Sequence, residues 1–479
     1  MSMDVDEPRT PDHPRVGRIR TPATYLLVVV LPLLAVVALV GTAGRWTGPT
    51  GGGTDGTHGA DGLLGRLLLA VAIIVASAAA GGTLARRLGQ PAVLGELTVG
   101  LLLGPSALGA VLPAAQQWLF PAFILPHLDA LAQLGVILFM FLVGGELDVR
   151  LLRRAGGRGL VIGHAAVVVP LLAGVVFALT LAGSYRPDGV AKTSFTLFIG
   201  VCFAISAFPV LARILVEQGL IRTPLGTTGL TAAGVGDVTA WCLLLVVVTG
   251  LRGTSPAAAI RSAILVALFT AVMLLFVRPL LAQLLAWAER DGRPGAGLFT
   301  ALIALVLVCA LATELIGVHA IFGAFLAGVV MPRGSATARE LYTRVEGVAM
   351  WLMLPVFFVV IGQQIDLTAL RLGDQWWLCL AILVIAVASK VTGAAVATVA
   401  SGGSRRDGLA FGVMLNCRGL TELIVLSMGL QLGVLNHELF AMFIVMALLT
   451  TAMTGPLLRR VVPASVRFAA ADIQPTRPR

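Results

Sequence analysis

Apolar residues run through this chain in blocks of about 18–26, separated by short polar segments. A helix needs about 20 residues to cross the hydrocarbon core of a bilayer. Water is absent there, so each block must satisfy its own backbone hydrogen bonds as a helix. Barrel strands would alternate over segments of about ten residues, and the chain carries no such alternation. The pattern predicts fourteen membrane helices, roughly 24–44, 63–85, 91–108, 128–147, 159–183, 194–216, 225–250, 262–283, 296–313, 317–332, 348–364, 376–399, 408–430 and 438–458. The expected fold class is an all-α polytopic membrane protein of 13–14 transmembrane helices.

Composition agrees. Of 479 residues, 58% are hydrophobic and 12% charged, against roughly 25% charged in soluble domains. The formal net charge of +10 raises the question of nucleic acid. With the N-terminus inside, about 24 of the 34 lysines and arginines fall on the cytoplasmic side. The basic balance is therefore a matter of topology, and no nucleic-acid partner is expected. Both termini are predicted to be cytoplasmic, in a plasma membrane. The first block is longer than a signal-peptide core of about 7–15 residues and reads as a membrane helix. The glycine-rich loop after it reads as a flexible linker. The five cysteines, Cys202, Cys242, Cys309, Cys379 and Cys417, all lie in apolar blocks with no paired spacing. They read as small core residues, and no cofactor is expected.

Two charges sit where the hydropathy forbids them. Asp237, in "GVGDVTAW", and Lys390, in "IAVASKVTGAAV", fall near the middle of predicted helices. A charge at the bilayer centre costs about 2.5–3.5 kcal/mol even on the lenient scale and usually marks an ion path or relay. The bland alternative is an inert buried salt bridge between the two. Small neighbours, Ala233, Gly234 and Ala240, leave room beside the carboxylate. Two other helices look broken. "FAISAFPVLARIL" places Pro209 inside one, and "NCRGLTELI" places Asn416, Arg418 and Gly419 inside another. The two segments are seven helices apart and so run in opposite directions. Matching breaks in oppositely oriented halves mark an inverted-repeat transporter.

Six stretches resemble the monovalent cation:proton antiporter-2 family, which includes the Kef-type potassium/proton antiporters and the plant cation/proton exchangers. They are "QPAVLGELTVGLLLGPSALG", "LGVILFMFLVGGELDVRLLRR", "ISAFPVLARIL", "GVHAIFGAFLAGVVMPR", "LPVFFVVIGQQIDL" and "NCRGLTELIVLSMGL", in the family's order. The resemblance covers residues 64–460. It implies a sodium/proton antiporter-like fold, with a dimerisation bundle, a core of two crossed unwound helices, and a homodimer. It implies that Asp237 is the essential carboxylate, binding a proton or, transiently, a monovalent cation. Lys390 matches the lysine that some members place opposite it, and Ser206 falls where many relatives have a threonine. Three departures stand out. Gly236 replaces the usual Asp or Asn before the essential aspartate, a Kef-type nucleotide-binding domain has no counterpart, and the first helix looks additional. The expected organisation is 1–61 as a basic tail, extra helix and loop, 62–460 as the exchanger domain, and 461–479 as a short tail.

The expected function is exchange of potassium or sodium for protons by alternating access, with no enzymatic chemistry. A cation channel, or a Kef-like potassium efflux pathway, is the rival. A channel needs a filter of stacked carbonyls or a charged ring, and no such motif occurs. The single carboxylate at the site points to one-for-one exchange. Glu96, Glu146 and Glu314 read as interfacial, Arg418 and Glu422 as a local pair or a brace for the break, and Trp241, His164 and His319 as packing residues.

Overall fold

A computed structural model describes residues 58–146, 156–221, 223–252, 256–290, 296–332, 334–365 and 375–462. The predicted helix 24–44, most of the glycine-rich loop and the tail from 463 lie outside the described residues. All regular structure among the described residues is helical. Thirteen of the predicted segments fall within them, and each contains a helix. In chain order these are α1 (Gly62–Arg87), α2 (Ala92–Leu102), α3 (Leu125–Glu146), α4 (Gly156–Thr180), α5a (Lys192–Ala204) with α5b (Phe208–Glu217), α6 (Pro224–Arg252) and α7 (Ile260–Arg290). The second half continues with α8 (Ala296–Ile316), α9 (Ala320–Val330), α10 (Ala336–Gln363), α11 (Trp376–Ala400), α12a (Arg405–Leu415) with α12b (Leu420–Gln431), and α13 (His437–Val461). Among the described residues ten spans are long and apolar enough to cross a bilayer, and α12a and α12b make an eleventh if counted as one span bent by 51°.

Two expectations need correction. The segments at 91–108 and 317–332 hold helices of only 11 residues, α2 and α9. Their apolar flanks look like helix in the sequence, but α2 stops at Leu102, with a separate helical turn at Pro105–Gly109 beyond an extended Gly104, and the chain does not enter α9 until His319 has capped it. The segment predicted at 348–364 begins twelve residues earlier, at Ala336. Hydropathy misses this part because it is polar. Ser335 starts it by accepting from the Ala338 N–H at 3.1 Å, and Glu289 accepts from both Ser335 and Thr337.

The order long, short, long, long, broken, long describes α1–α6 and again α8–α13. Packing repeats as well. α2 lies on α10 and α9 lies on α3. A Cβ at Gly362 would stand 2.0 Å from the Gly100 carbonyl oxygen, and one at Gly328 would stand 2.1 Å from that of Phe141. Backbone meets backbone at both contacts, which only glycine permits. α4, α5, α6, α11, α12 and α13 pack among themselves as a second group, centred on the α4–α11 contact. The outer faces are apolar, as on α7, where Ile260, Ile264, Leu275 and Phe276 are exposed. A bilayer accepts such a surface.

Candidate functional site

The core group brings its two broken helices together. α5 unwinds at Ile205, Ser206 and Ala207, and α12 at residues 416–419. The unwound strands bind each other. The Ala207 N–H donates to the Cys417 carbonyl at 2.9 Å, and the Ser206 hydroxyl donates to the Leu415 carbonyl at 2.9 Å. Thr421 Oγ1 donates to the Ser206 carbonyl at 3.3 Å. Gly419 permits the approach, since a Cβ there would lie 2.6 Å from Val210 Cγ2. Pro209 is not itself the break. It sits in the first turn of α5b, where a missing N–H removes no helical bond.

Each end of the α5 break faces a charge of the opposite sign. The C-terminus of α5a presents the carbonyls of Cys202, Phe203 and Ala204. Arg418 donates to the first two, at 2.7 and 2.9 Å, and Lys390 donates to the third. The N-terminus of α5b presents the Phe208 N–H, which donates to Asp237 Oδ2 at 3.4 Å. Cations at a helix C-terminus and an anion at an N-terminus are the arrangement the helix dipole favours.

Lys390 is fully buried. Its Nζ donates to the Ala166 carbonyl at 3.0 Å, to Ser206 Oγ at 2.7 Å and to the Ala204 carbonyl. The Ser206 hydroxyl also lies 2.9 Å from the Leu415 carbonyl, so it links the lysine to the second break. The three contacts match in number the three N–H groups that an ammonium offers. Asp237 is 3% exposed, and its Oδ1 has no hydrogen-bond partner. Among the described residues the only buried ion pair is Arg418–Glu422, 2.6 Å apart. Asp237 and Lys390 act on each other electrostatically but form no ion pair. The bland alternative, a direct Asp–Lys bridge, does not form in this structure.

Gly236 faces α4. A Cβ there would meet Val167 Cγ2 at 3.5 Å, an ordinary contact. Trp241 packs on Phe322 and Phe325 with ring centroids 5.9 Å away in each case. His319 caps α9, whereas His164 is exposed and bonded only to its own helix, at the Leu160 carbonyl. Cys242 is exposed, contrary to the core role expected of it, because it faces outward from α6. The other four cysteines are buried. No cluster of three or more metal-ligating side chains occurs among the described residues.

Sequence reasoning missed the backbone acceptors at Ala166, Cys202, Phe203 and Ala204, which carry no residue-type signal. It also missed Thr451, whose hydroxyl donates to the Arg418 carbonyl at 2.7 Å.

Two sets of cavities lie along the seam between the core group and α3 and α10. One, about 240 Å³, lies against Asp129, Gln133, Glu314, His319, Ser427 and Gln431. The others, about 90 and 210 Å³, share Phe139, Pro209 and Met350. The smaller reaches Ala207 and Thr421, and the larger reaches Glu146, Tyr342 and Glu346. Along α3 the first touches residues from 129 to 137 and the others residues from 139 to 146. The cavities thus lie toward opposite ends of the same helix, and the smallest meets the crossing at Ala207.

Crossed half-helices, buried charges and opposed cavities in a polytopic membrane protein define a transporter with a core built around the crossing. Comparison places it further. Residues 71–463 match the family described as "Sodium/hydrogen exchanger, transmembrane". The chain is 37% identical over 399 residues to the Na(+)/H(+) antiporter NhaS4 of Synechocystis sp., covering 83% of this chain and 97% of that protein. It is also 37% identical over 408 residues to Cation/H(+) antiporter 17 of Arabidopsis thaliana, covering 85% of this chain but 49% of that one. It thus spans about half the length of the plant relative. The structure of the sodium proton antiporter MjNhaP1 from Methanocaldococcus jannaschii shares the fold, with a TM-score of 0.59 at 16% identity over 85% of this chain and 98% of that one. The chain belongs to the sodium/hydrogen exchanger family of monovalent cation:proton antiporters.

Proposed function

We propose that this protein exchanges a monovalent cation, sodium or potassium, for protons by alternating access, with Asp237 as the carboxylate both ions share. One observation carries the reading. Asp237 is buried at the N-terminus of a half-helix with one carboxylate oxygen unpartnered. Desolvation disfavours its charged form, while the α5b N-terminus and the Lys390 ammonium favour it. A proton or a cation each resolves that conflict, and one carboxylate cannot hold both. Competition at one group couples the two flows.

Ser206 joins the site to the ammonium. Its oxygen accepts from Lys390 and keeps one lone pair for a dehydrated cation. Lys390 supplies the balancing positive charge when the cation is absent. The core group then moves along the seam, so that Asp237 faces one set of cavities at a time. Packed side chains between those cavities, among them Phe139 and Val136, favour this reading over a channel with a continuous pore. The protein works as a homodimer in the plasma membrane with both termini cytoplasmic.

The test is transport in proteoliposomes, with a pH gradient imposed and lithium, sodium, potassium or rubidium added in turn. The native protein collapses the gradient only when its cation is present, and Asp237→Asn does not. Collapse by Asp237→Asn at the native rate would remove the shared-carboxylate mechanism.

A further inference from the structure

Asn416 is the first residue beyond α12a and is 2% exposed. Its backbone N–H already donates to the Gly412 carbonyl at 3.1 Å, so the helix ends without help from the side chain. Gly419, not Asn416, allows the close approach of the two breaks. Yet Asn416 Oδ1 is buried with no hydrogen-bond partner. Folded proteins rarely leave such an oxygen unpaired without a ligand or a functional reason.

Asp237 Oδ1 is in the same condition. Both residues adjoin the same three-residue segment. The Phe208 N–H binds Asp237, while Ser206 and Ala207 bind the carbonyls of Leu415 and Cys417, on either side of Asn416. Asp237 also lies within electrostatic reach of Cys417, the residue next to Asn416. Glu422 Oε2 is unpaired too, but its carboxylate is already neutralised by Arg418.

We propose that Asn416 is a ligand of the transported cation, its amide oxygen joining Asp237 Oδ1 in an oxygen pair drawn from α6 and the second break. The inference rests on Asp237 being the exchange carboxylate. An amide oxygen binds a hard cation through its carbonyl dipole, as backbone carbonyls do. Unlike a carboxylate, it takes up no proton at working pH. The cation therefore gains a contact at Asn416 that the proton does not. Asn416 discriminates between the two substrates, and among cations by how well its oxygen fits their size.

Exchange is measured in proteoliposomes against lithium, sodium, potassium and rubidium for the native protein, Asn416→Ala, Asn416→Asp and Asp237→Asn. Asn416→Ala is expected to raise the apparent KM for the cation about tenfold, the loss of one good contact. It should alter the ratios of KM among the four ions. Asn416→Asp retains a ligand oxygen and is expected to recover most of the affinity. Melting temperature in detergent is followed for each. Native KM values and ratios in Asn416→Ala would overturn the proposal. So would equal losses of rate and melting temperature in the Ala and Asp variants, which is what a purely structural residue gives. If Asn416→Ala does not assemble, Asn416→Ser, which places its shorter oxygen farther away, must show the same altered ratios. Full exchange by Asp237→Asn would instead sink the underlying reading of the site. An inactive Asp237→Asn beside an unaffected Asn416→Ala would sink this inference alone.

Discussion

Arg418 and Glu422 meet at 2.6 Å with neither side chain exposed. Removing one member of such a pair leaves the other charge buried and costs about 3–5 kcal/mol. Arg418 also holds the carbonyls of Cys202 and Phe203, which Glu422 does not. Arg418→Met should therefore lower the melting temperature in detergent more than Glu422→Gln. The double variant Arg418→Met/Glu422→Gln should recover only part of the loss, because the two carbonyls stay uncapped. Equal effects of the two single variants would show that the ion pair alone matters. At Asp237 the relevant quantity is competition. Lower pH places a proton on a larger fraction of the carboxylate, so the apparent KM for the cation should rise as pH falls while the rate at saturating cation changes less. A KM independent of pH would mean the two ions use different groups. Asp237 and Lys390 were legible in the sequence because a charge inside an apolar block stands out against hydropathy. What each would touch was not legible. Lys390 spends its three N–H groups on two backbone carbonyls and a serine rather than on Asp237, and carbonyls look the same at every residue.

The half-helices α5a, α5b, α12a and α12b act as units, each presenting one dipole end to the crossing. Their contact depends on Gly419, where a Cβ would lie 2.6 Å from Val210 Cγ2 and 3.1 Å from Ala207 Cβ. Its φ of 178° is open to any residue, so space and not backbone conformation demands glycine. Gly419→Val should push the breaks apart, lengthen the Ala207–Cys417 hydrogen bond and release Ser206 from Leu415. The expected outcome is loss of exchange with a fall in stability of about 1–3 kcal/mol from overpacking, read by transport and melting together. Native activity in this variant would mean that the crossing tolerates separation. The breaks were legible from Pro209 and the Asn-Cys-Arg-Gly run, though proline only marked the first turn after the break. The shortness of α2 and α9 was hidden because their flanks are equally apolar. The early start of α10 was hidden for the opposite reason, since a polar first stretch, capped by Ser335, carries no membrane signal.

For the whole molecule the decisive quantity is net charge moved per cycle. Only Asp237 changes its occupant in the proposed exchange. Lys390 lies among three acceptors, one of them at the end of a half-helix, and the proposed cycle leaves its proton in place. One cation then moves against one proton, and the cycle transfers no net charge. A cycle that moved one charge would feel about 2.3 kcal/mol for every 100 mV across the membrane. That would shift the balance of the exchange roughly fiftyfold. Imposing a membrane potential on proteoliposomes should therefore leave both the rate and the final gradient of the native protein unchanged. Gly236 sharpens the test. A Cβ there meets only Val167 at 3.5 Å and the Gly163 carbonyl at 3.9 Å, both tolerable contacts. Gly236→Asp should therefore fold, and it adds a second ionisable group beside the first, facing α4, the helix whose Ala166 carbonyl accepts from Lys390. If that group titrates during transport, the variant exchanges two protons per cation and becomes voltage-sensitive, while Gly236→Asn stays insensitive. Voltage sensitivity in the native protein would instead assign the second proton to Lys390, and Lys390→Met should then abolish it.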